Sequence, residues 1–339
     1  MFRANKKLKI FFNYILGPLL GGWLFYSLYK QIREQPNLHE SISLIKKAPF
    51  GTEGWKFWLV LGLVFVNWGI EAKKWQALVR LMQPISFFTA LKGVLSGVTL
   101  SLNTPNRIGE YGGRILYVNE GNRIQAISLS IAGSMSQLIL TLFFGCGGLV
   151  FLLSTHSQET YIMGLSLYWI KVLLMIIGLI TLVMLLFLFR LSLLVRIIER
   201  IPFFDKYASH LLIIEEFSPN LLLRLLSLSS LRYLVFVSQY ILLLQALHVE
   251  LSMMQGFWII TILFLVMAIV PSFAIADLGI RGKFSLALIT LYSANTIGII
   301  GTTFGIWFLN LFIPALLGSI LIVLTRIFKE KTEHNEATE

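Results

Sequence analysis

The residues best suited to chemistry lie in a polar, glycine-rich stretch, residues 101–124, that separates two apolar runs. We call this stretch the first polar segment. Its residues Arg107, Glu110 and Arg114 are spaced by three and four positions, which would place them on one face of a helix. Guanidinium groups bind phosphate and carboxylate through paired hydrogen bonds, and a carboxylate between them can orient them. These residue types at this spacing predict an anion-binding site.

The start of that helix adds a second anion-binding feature. Thr104 and Pro105 are residue types favoured at the N-cap and at the first helical position, so a helix is predicted to begin there. The unpaired N–H groups of a helix N-terminus attract anions. Glycines at 109, 112 and 113 leave room for another backbone or a ligand to come close. We therefore include Thr104 among the candidate binding residues.

A second polar segment, residues 271–283, has a similar composition. Its Asp277 and Arg281 are four residues apart and could pair on a helix. Arg281 follows Arg107 by 174 residues, about half the chain, and both segments contain proline and glycine and precede long apolar stretches. Transporters built from repeats place two broken or re-entrant helices at one substrate site. We therefore expect the two polar segments to meet at a single site.

Two further charges, Glu71 and Lys74, lie in an apolar helix that is predicted to begin near Trp55. The uncharged core of that helix, residues 57–70, is shorter than the roughly 20 residues that a span requires. The two charges must therefore lie in or near the membrane. Either they extend to the membrane interface, or they face an internal cavity and pair with each other.

Composition identifies the class of protein. The 339 residues are 56% hydrophobic and 13% charged, whereas a soluble domain carries about 25% charged residues. The uncharged runs are far longer than the roughly 10-residue strands of a membrane barrel, so the fold class is an all-α, polytopic integral membrane bundle. The net charge of +11 is spread over many short loops, which predicts membrane lipids as partners and no nucleic acid.

Side chains for metal binding or nucleophilic catalysis are scarce. The single cysteine, Cys146, excludes an intrachain disulfide, and the five histidines never fall at ligand spacing. Asp205 and Asp277 are the only aspartates, so the D-x-D pair of a metal and nucleotide-sugar site is absent from the sequence. No serine lies in a G-x-S-x-G elbow. We expect neither a metal nor a cofactor.

The apolar runs predict a single membrane domain over residues 10–325, between an N-terminal segment, 1–9, and a tail, 326–339. Residues 85–102 are too short and too polar for an ordinary span and lead directly into the first polar segment. About eight spans are expected, at 10–29, from Trp55, at 125–153, 162–189, 231–249 and 252–275, and twice within 284–325 with a break near Gly301-Thr302-Thr303.

The distribution of positive charge predicts the orientation. With both termini cytoplasmic and residues 85–123 forming a re-entrant hairpin, 22 of the 28 Lys and Arg residues face the cytoplasm. A full crossing by residues 85–102 would instead place the arginine-rich segment 190–232 outside. Residues 190–230 are predicted to be a cytoplasmic amphipathic loop, with Leu193–Phe204 lying on the membrane surface. The alternative for the first polar segment is an interfacial loop.

Two short motifs resemble those of a known family. Residues 103–110, N-T-P-N-R-I-G-E, and residues 276–281, A-D-L-G-I-R, are similar to motifs of the lysylphosphatidylglycerol synthase transmembrane-region family, also described as a flippase-like domain. The likeness covers roughly residues 10–325. Asp277 stands where the family usually has glycine, Gly282 stands where it has glutamate, and Arg114 is one residue later than the usual arginine.

The resemblance implies a multi-pass protein of a bacterial-type inner membrane that holds or moves a lipid. A counterpart of the soluble aminoacyl-transferase domain is absent from the sequence, so we expect no aminoacyl transfer by this chain and name a separate lipid-modifying synthase as a candidate partner. The leading hypothesis is a flippase-like protein for a phospholipid or a polyprenyl-phosphate-linked lipid. Its candidate headgroup-binding residues are Thr104, Arg107, Glu110, Arg114, Asp277 and Arg281, with Glu71 and Lys74 as cavity charges.

Two other functions remain open. An integral-membrane transferase could act on a lipid-linked donor with Glu110 or Asp277 as general base. A non-transporting scaffold would use the polar segments only to pack helices. A transferase changes the mass of a lipid, a flippase changes only its leaflet, and a scaffold does neither.

Overall fold

The computed structural model describes residues 46–102, 104, 107–157, 160–162, 164–189, 217–270 and 274–336. The predicted first helix, 10–29, the N-terminal segment, 1–9, and the amphipathic stretch Leu193–Phe204 lie outside the described residues.

Nearly all of the described chain is helical, so the predicted all-α membrane bundle is confirmed. The regular exceptions among the described residues are two short antiparallel strands, β1 (Tyr161–Ile162) and β2 (Leu165–Ser166). In chain order the α-helices are α1 (Gly54–Val79), α2 (Phe87–Leu102), α3 (Gly109–Arg114), α4 (Arg123–Thr155), α5 (Leu167–Phe189), α6 (Pro219–Ala246), α7 (Met253–Ile269), α8 (Ala274–Ile289), α9 (Thr296–Trp307) and α10 (Ile313–Glu336).

Four described helical stretches are long and apolar enough to cross a membrane. They are Glu120–Thr155, Leu167–Phe189, Pro219–Ala246 and Thr296–Leu324. α2 and α7 are apolar but have only 16 and 17 residues, which is short for a full crossing. The count of eight spans stays a prediction.

The predicted break near Gly301-Thr302-Thr303 is wrong. Residues 296–324 form one continuous helical stretch, in which a five-residue π-helix, Phe308–Phe312, joins α9 to α10. The break lies earlier, at residues 290–295, because Asn295 caps the next helix by accepting the Gly298 N–H at 2.9 Å. Thr303 causes no break, since its hydroxyl donates to the Ile299 carbonyl one turn back, at 2.9 Å.

The chain divides into two compact units, which we describe separately. Unit 1 contains Met1–Val64, Leu138–Val183 and Tyr233–Trp307. Unit 2 contains Phe65–Gln137, Met184–Arg232 and Phe308–Glu339. Several long helices, α1, α4, α5 and α6, contribute residues to both units.

Unit 2 contains a helical hairpin made of α2 and α3. α3 runs back along α2, with Gly113 beside Gly97 and Gly109 beside Leu100. A Cβ on Gly113 would collide with the backbone of Gly97, so glycine is needed for this close approach. The chain returns to where it entered, since the Asn119 N–H donates to the Gln83 side chain at 3.0 Å. This geometry is the one expected of a re-entrant segment, although its depth in a bilayer stays a prediction.

Unit 1 contains a second hairpin made of α7 and α8. α7 begins with a capping box, in which Ser252 and Gln255 each bond to the other's backbone N–H. The chain leaves this region at Val249 and returns after α8, where the Asn295 side chain donates to the carbonyls of Leu247 and His248 at 3.0 and 3.1 Å. Each polar segment therefore belongs to a helical hairpin whose two ends lie together.

Candidate functional site

Five charged side chains of unit 2 form a buried charge cluster around Glu71. Its carboxylate contacts three cations: Arg114 at 2.6 Å, Lys74 at 2.9 Å and Arg232 at 3.1 Å. The fifth member, Glu110, pairs with Arg114. Three cations and two carboxylates leave the cluster with one net positive charge.

Helix α1 supplies the centre of the cluster. Glu71 and Lys74 are one turn apart, and their side chains are only 4% and 2% exposed. Indole rings of the same helix cover the two arginines, with Trp75 centred 5.3 Å from the Arg114 guanidinium and Trp68 centred 5.5 Å from that of Arg232. This burial favours an internal charged group over side chains that extend to the membrane interface.

The short helix α3 presents Glu110 and Arg114 at the predicted four-residue spacing. The Arg114 side chain is 2% exposed and binds both Glu71 and Glu110. The Glu110 side chain is 25% exposed, and that of Arg232 is 19% exposed. These two residues are the partly exposed members of an otherwise buried cluster.

The predicted helix start at Thr104 is wrong. α3 begins five residues later, at Gly109, because Arg107 adopts a left-handed backbone conformation with φ of 59°. The Thr104 hydroxyl accepts the Gly109 N–H at 2.7 Å, so it does cap a backbone group, but across the turn between α2 and α3.

Arg107 consequently does not share a helix face with Glu110 and Arg114, which corrects the predicted arrangement. Its side chain is exposed and makes no ion pair with a described residue. A role for Arg107 in binding an anion stays a prediction.

Sequence reasoning missed Arg232 and Asn310. The Arg232 Nε donates to Asn67 at 3.0 Å, and the Asn67 amide donates to Asn310 at 2.9 Å, which extends the cluster as a polar chain. Asn310 lies in the π-helix, a local widening that often occurs at functional sites. The sequence did contain one indication of Asn310, because this amide side chain lies within the otherwise mostly apolar, uncharged run 284–325.

Unit 1 holds the second predicted ion pair. Arg281 and Asp277 pair at 3.2 Å, at the expected four-residue spacing on α8. The buried phenol of Tyr240, from α6, lies next to the Arg281 guanidinium. Because the two polar segments belong to separate units, their meeting at one site stays a prediction.

The two hairpins carry the same short pattern, an acidic residue, any residue, glycine, any residue and arginine. It reads Glu110-Tyr-Gly-Gly-Arg114 in α3 and Asp277-Leu-Gly-Ile-Arg281 in α8. In each unit a residue of the helix that precedes the hairpin lies beside the arginine, Glu71 in unit 2 and Tyr240 in unit 1. By this pattern Arg281 corresponds to Arg114, 167 residues earlier.

The buried charge cluster is suited to binding an anion. In the part of the chain that the structure describes, no group of three His, Cys, Asp or Glu residues is placed to hold a metal ion. The cluster instead offers guanidinium and ammonium donors, which bind phosphate and carboxylate oxygens.

Comparison with known protein families identifies a membrane family. The family model described as the lysylphosphatidylglycerol synthase TM region matches residues 14–318, nearly the whole chain. No curated protein and no solved structure was found to match.

Proposed function

Because the chain belongs to the lysylphosphatidylglycerol synthase TM-region family, a membrane family related to lipids, we propose that it binds and translocates a lipid with an anionic headgroup. The lipid is a phospholipid or a polyprenyl-phosphate-linked lipid. The protein works in a bacterial-type inner membrane with both termini in the cytoplasm, as the bias of positive charge favours.

The excess positive charge of the buried charge cluster carries this proposal. Lys74, Arg114 and Arg232 are opposed by only two carboxylates, and the centre of the cluster is withdrawn from solvent. A buried charge without a counter-ion is costly, so an anion bound beside the cluster would stabilise it. Phosphate is the anion common to the headgroups of the proposed lipids.

The two partly exposed members of the cluster indicate how the headgroup binds. Arg232 and Glu110 are the two partly exposed members, so a phosphate would reach the cluster through Arg232 or beside Glu110, the partner of Arg114. Asn67 adds an amide group next to Arg232, and Asn310 adds a second one next to Asn67. We assign phosphate binding to Arg232 and Arg114, and orientation of these arginines to Glu71 and Asn67.

Translocation is supported by the two helical hairpins. Helices as short as α2 and α7 leave polar backbone and side chains at membrane depth, which is tolerated only inside protein or beside a wet cavity. Paired hairpins of this kind are typical of transporters built from repeats. Asp277 and Arg281 of unit 1 serve as a second polar group on the lipid's route.

The test is native mass spectrometry of the purified protein with its retained lipids, comparing wild type with Arg232→Gln. Arg224→Gln is the matched control, because Arg224 lies on the same helix, α6, but is exposed. We expect wild type and Arg224→Gln to retain one class of anionic lipid that Arg232→Gln loses. Equal retention by all three proteins would contradict the proposal and favour a scaffold.

The same purified protein can be used to distinguish a flippase from a transferase. After reconstitution with the retained lipid, a flippase leaves the mass of the lipid unchanged and moves it between leaflets. A product of altered mass would favour the transferase instead. A lipid that is bound selectively but changes neither mass nor leaflet would support binding and contradict translocation.

A further inference from the structure

We propose that Glu110 sets the headgroup charge that the buried charge cluster selects, so that the site prefers a singly charged phosphodiester to a doubly charged phosphomonoester. This inference rests on the proposed function, since it concerns the lipid bound at the same site. Two observations support it: the net charge of the cluster, and the different surroundings of its two carboxylates, Glu71 and Glu110.

The charge count defines the preference. With Glu71 and Glu110 both present, the three cations exceed the carboxylates by one. A phosphodiester carries one negative charge and makes the total zero, whereas a phosphomonoester carries nearly two at neutral pH and leaves an excess negative charge. Uncompensated charge is costly where solvent is largely excluded, so the neutral combination is favoured.

Glu71 cannot set this preference without also holding the fold together. It contacts all three cations, and its side chain is 4% exposed. Removal of its charge would leave Lys74, Arg114 and Arg232 close together in a buried place. Repulsion between these cations would destabilise the folded protein even without a bound lipid.

Glu110 differs from Glu71 both in the number of its ion-pair partners and in the exposure of its side chain. Among the described residues its one ion-pair partner is Arg114, which keeps Glu71 as a second partner when Glu110 is neutralised. Its side chain is 25% exposed, so a headgroup that reaches the cluster can come next to it. Neutralising Glu110 therefore raises the net charge from +1 to +2 at the point of contact while the central ion pairs remain.

Two synthetic lipids isolate the charge from every other feature of the headgroup. Dioleoyl-phosphatidylmethanol and dioleoyl-phosphatidic acid differ by one methyl group on the phosphate, and at about pH 8 they carry one and nearly two negative charges. Competition between them for the delipidated protein is measured by native mass spectrometry, and the ratio of the two bound populations is the readout.

We expect wild type to prefer phosphatidylmethanol, and Glu110→Gln to shift the ratio toward phosphatidic acid by about tenfold or more. Glu110→Asp keeps the charge and should keep the wild-type preference. Glu120→Gln is the matched control, because Glu120 is an acid of the same polar segment whose partner, Arg123, lies outside the cluster and whose side chain is 79% exposed.

The outcomes separate this inference from the proposed function. If wild type binds neither lipid, or if Arg232→Gln binds both as wild type does, the proposed function fails and the inference with it. If wild type binds and Arg232→Gln does not, but Glu110→Gln keeps the wild-type ratio, only the inference is overturned. Loss of folded protein in both Glu110→Gln and Glu110→Ala would also overturn it, since Glu110 would then be required by the fold.

Discussion

At the scale of single residues, Glu71 is the point on which the buried charge cluster depends. Its two oxygens accept contacts from Lys74 on its own helix and from arginines on α3 and α6. A carboxylate that serves three cations compensates more charge than a simple pair does. The energetic cost of its removal should therefore exceed that of removing Glu110, which serves Arg114 alone among the described residues.

We predict that Glu71→Gln lowers the free energy of unfolding by about 3–5 kcal/mol, the cost of leaving buried charges unpaired. Glu110→Gln should have a clearly smaller effect, because Arg114 retains Glu71. Thermal unfolding in detergent measures both, with Glu53→Gln as the control, since Glu53 pairs with Lys56 in a partly exposed position. Equal destabilisation by the two cluster variants would show that Glu71 is not the centre.

At the scale of elements, the hairpin of α2 and α3 determines where Arg114 lies. Gly113 meets the backbone of Gly97, and Gly109 meets that of Leu100, so the two helices touch along their main chains. Contact this close fixes the position of α3 along α2, and with it the position from which Arg114 reaches Glu71 of α1. α2 also packs against α10 at a different set of residues, where Gly318 meets the Leu95 carbonyl and the Thr99 hydroxyl.

We predict that Gly113→Ala separates α2 from α3, weakens anionic-lipid retention and destabilises the protein by about 1–3 kcal/mol, the usual cost of overpacking. Gly112→Ala is the control from the adjacent position, because a Cβ there would meet only a Leu100 methyl group at 3.6 Å. Thermal unfolding and native mass spectrometry provide the two readouts. Tolerance of alanine at residue 113 would contradict the close backbone contact.

At the scale of the whole molecule, the lengths of the helices predict which side of the membrane each loop occupies. α4 has 33 residues, about 50 Å at 1.5 Å per residue, and exceeds the roughly 30 Å hydrocarbon core of a bilayer. The hairpin before it returns to its starting point, because Asn119 bonds to Gln83. Residues on either side of the hairpin should therefore share one side, and the loop after α4 should lie on the other.

We predict that Arg80→Cys and Glu120→Cys react with a membrane-impermeant maleimide from the cytoplasmic side, and that Leu165→Cys reacts only from the opposite side. All three positions are exposed, and Cys146 is first replaced by alanine so that it does not contribute. The assay is done on oriented membrane vesicles. Labelling of residues 80 and 120 from opposite sides would show that α2 crosses fully and would contradict the re-entrant hairpin.

Several features were predictable from the sequence because they depend on local composition. The membrane class follows from long uncharged runs, and the pairs Glu71–Lys74, Glu110–Arg114 and Asp277–Arg281 follow from three- or four-residue spacing on a helix. The start of a helix was predicted less accurately than these ion pairs. Thr104-Pro105 does not begin α3, because Arg107, which lies between them and the helix, adopts a left-handed backbone conformation.

The sequence by itself thus determined the class of protein, its family and the local ion pairs, since each depends on residues that are close in the chain or on composition. Only the tertiary structure decided that Arg232 and Asn310 join Glu71, because these residues lie 161 and 239 positions further along. Periodicity reports which face of a helix is polar but not which other helix covers that face. Packing of α1 against α3, α6 and the π-helix within unit 2 determines which side chains surround Glu71. It thereby also determines the net charge of the cluster, which a bound headgroup must balance.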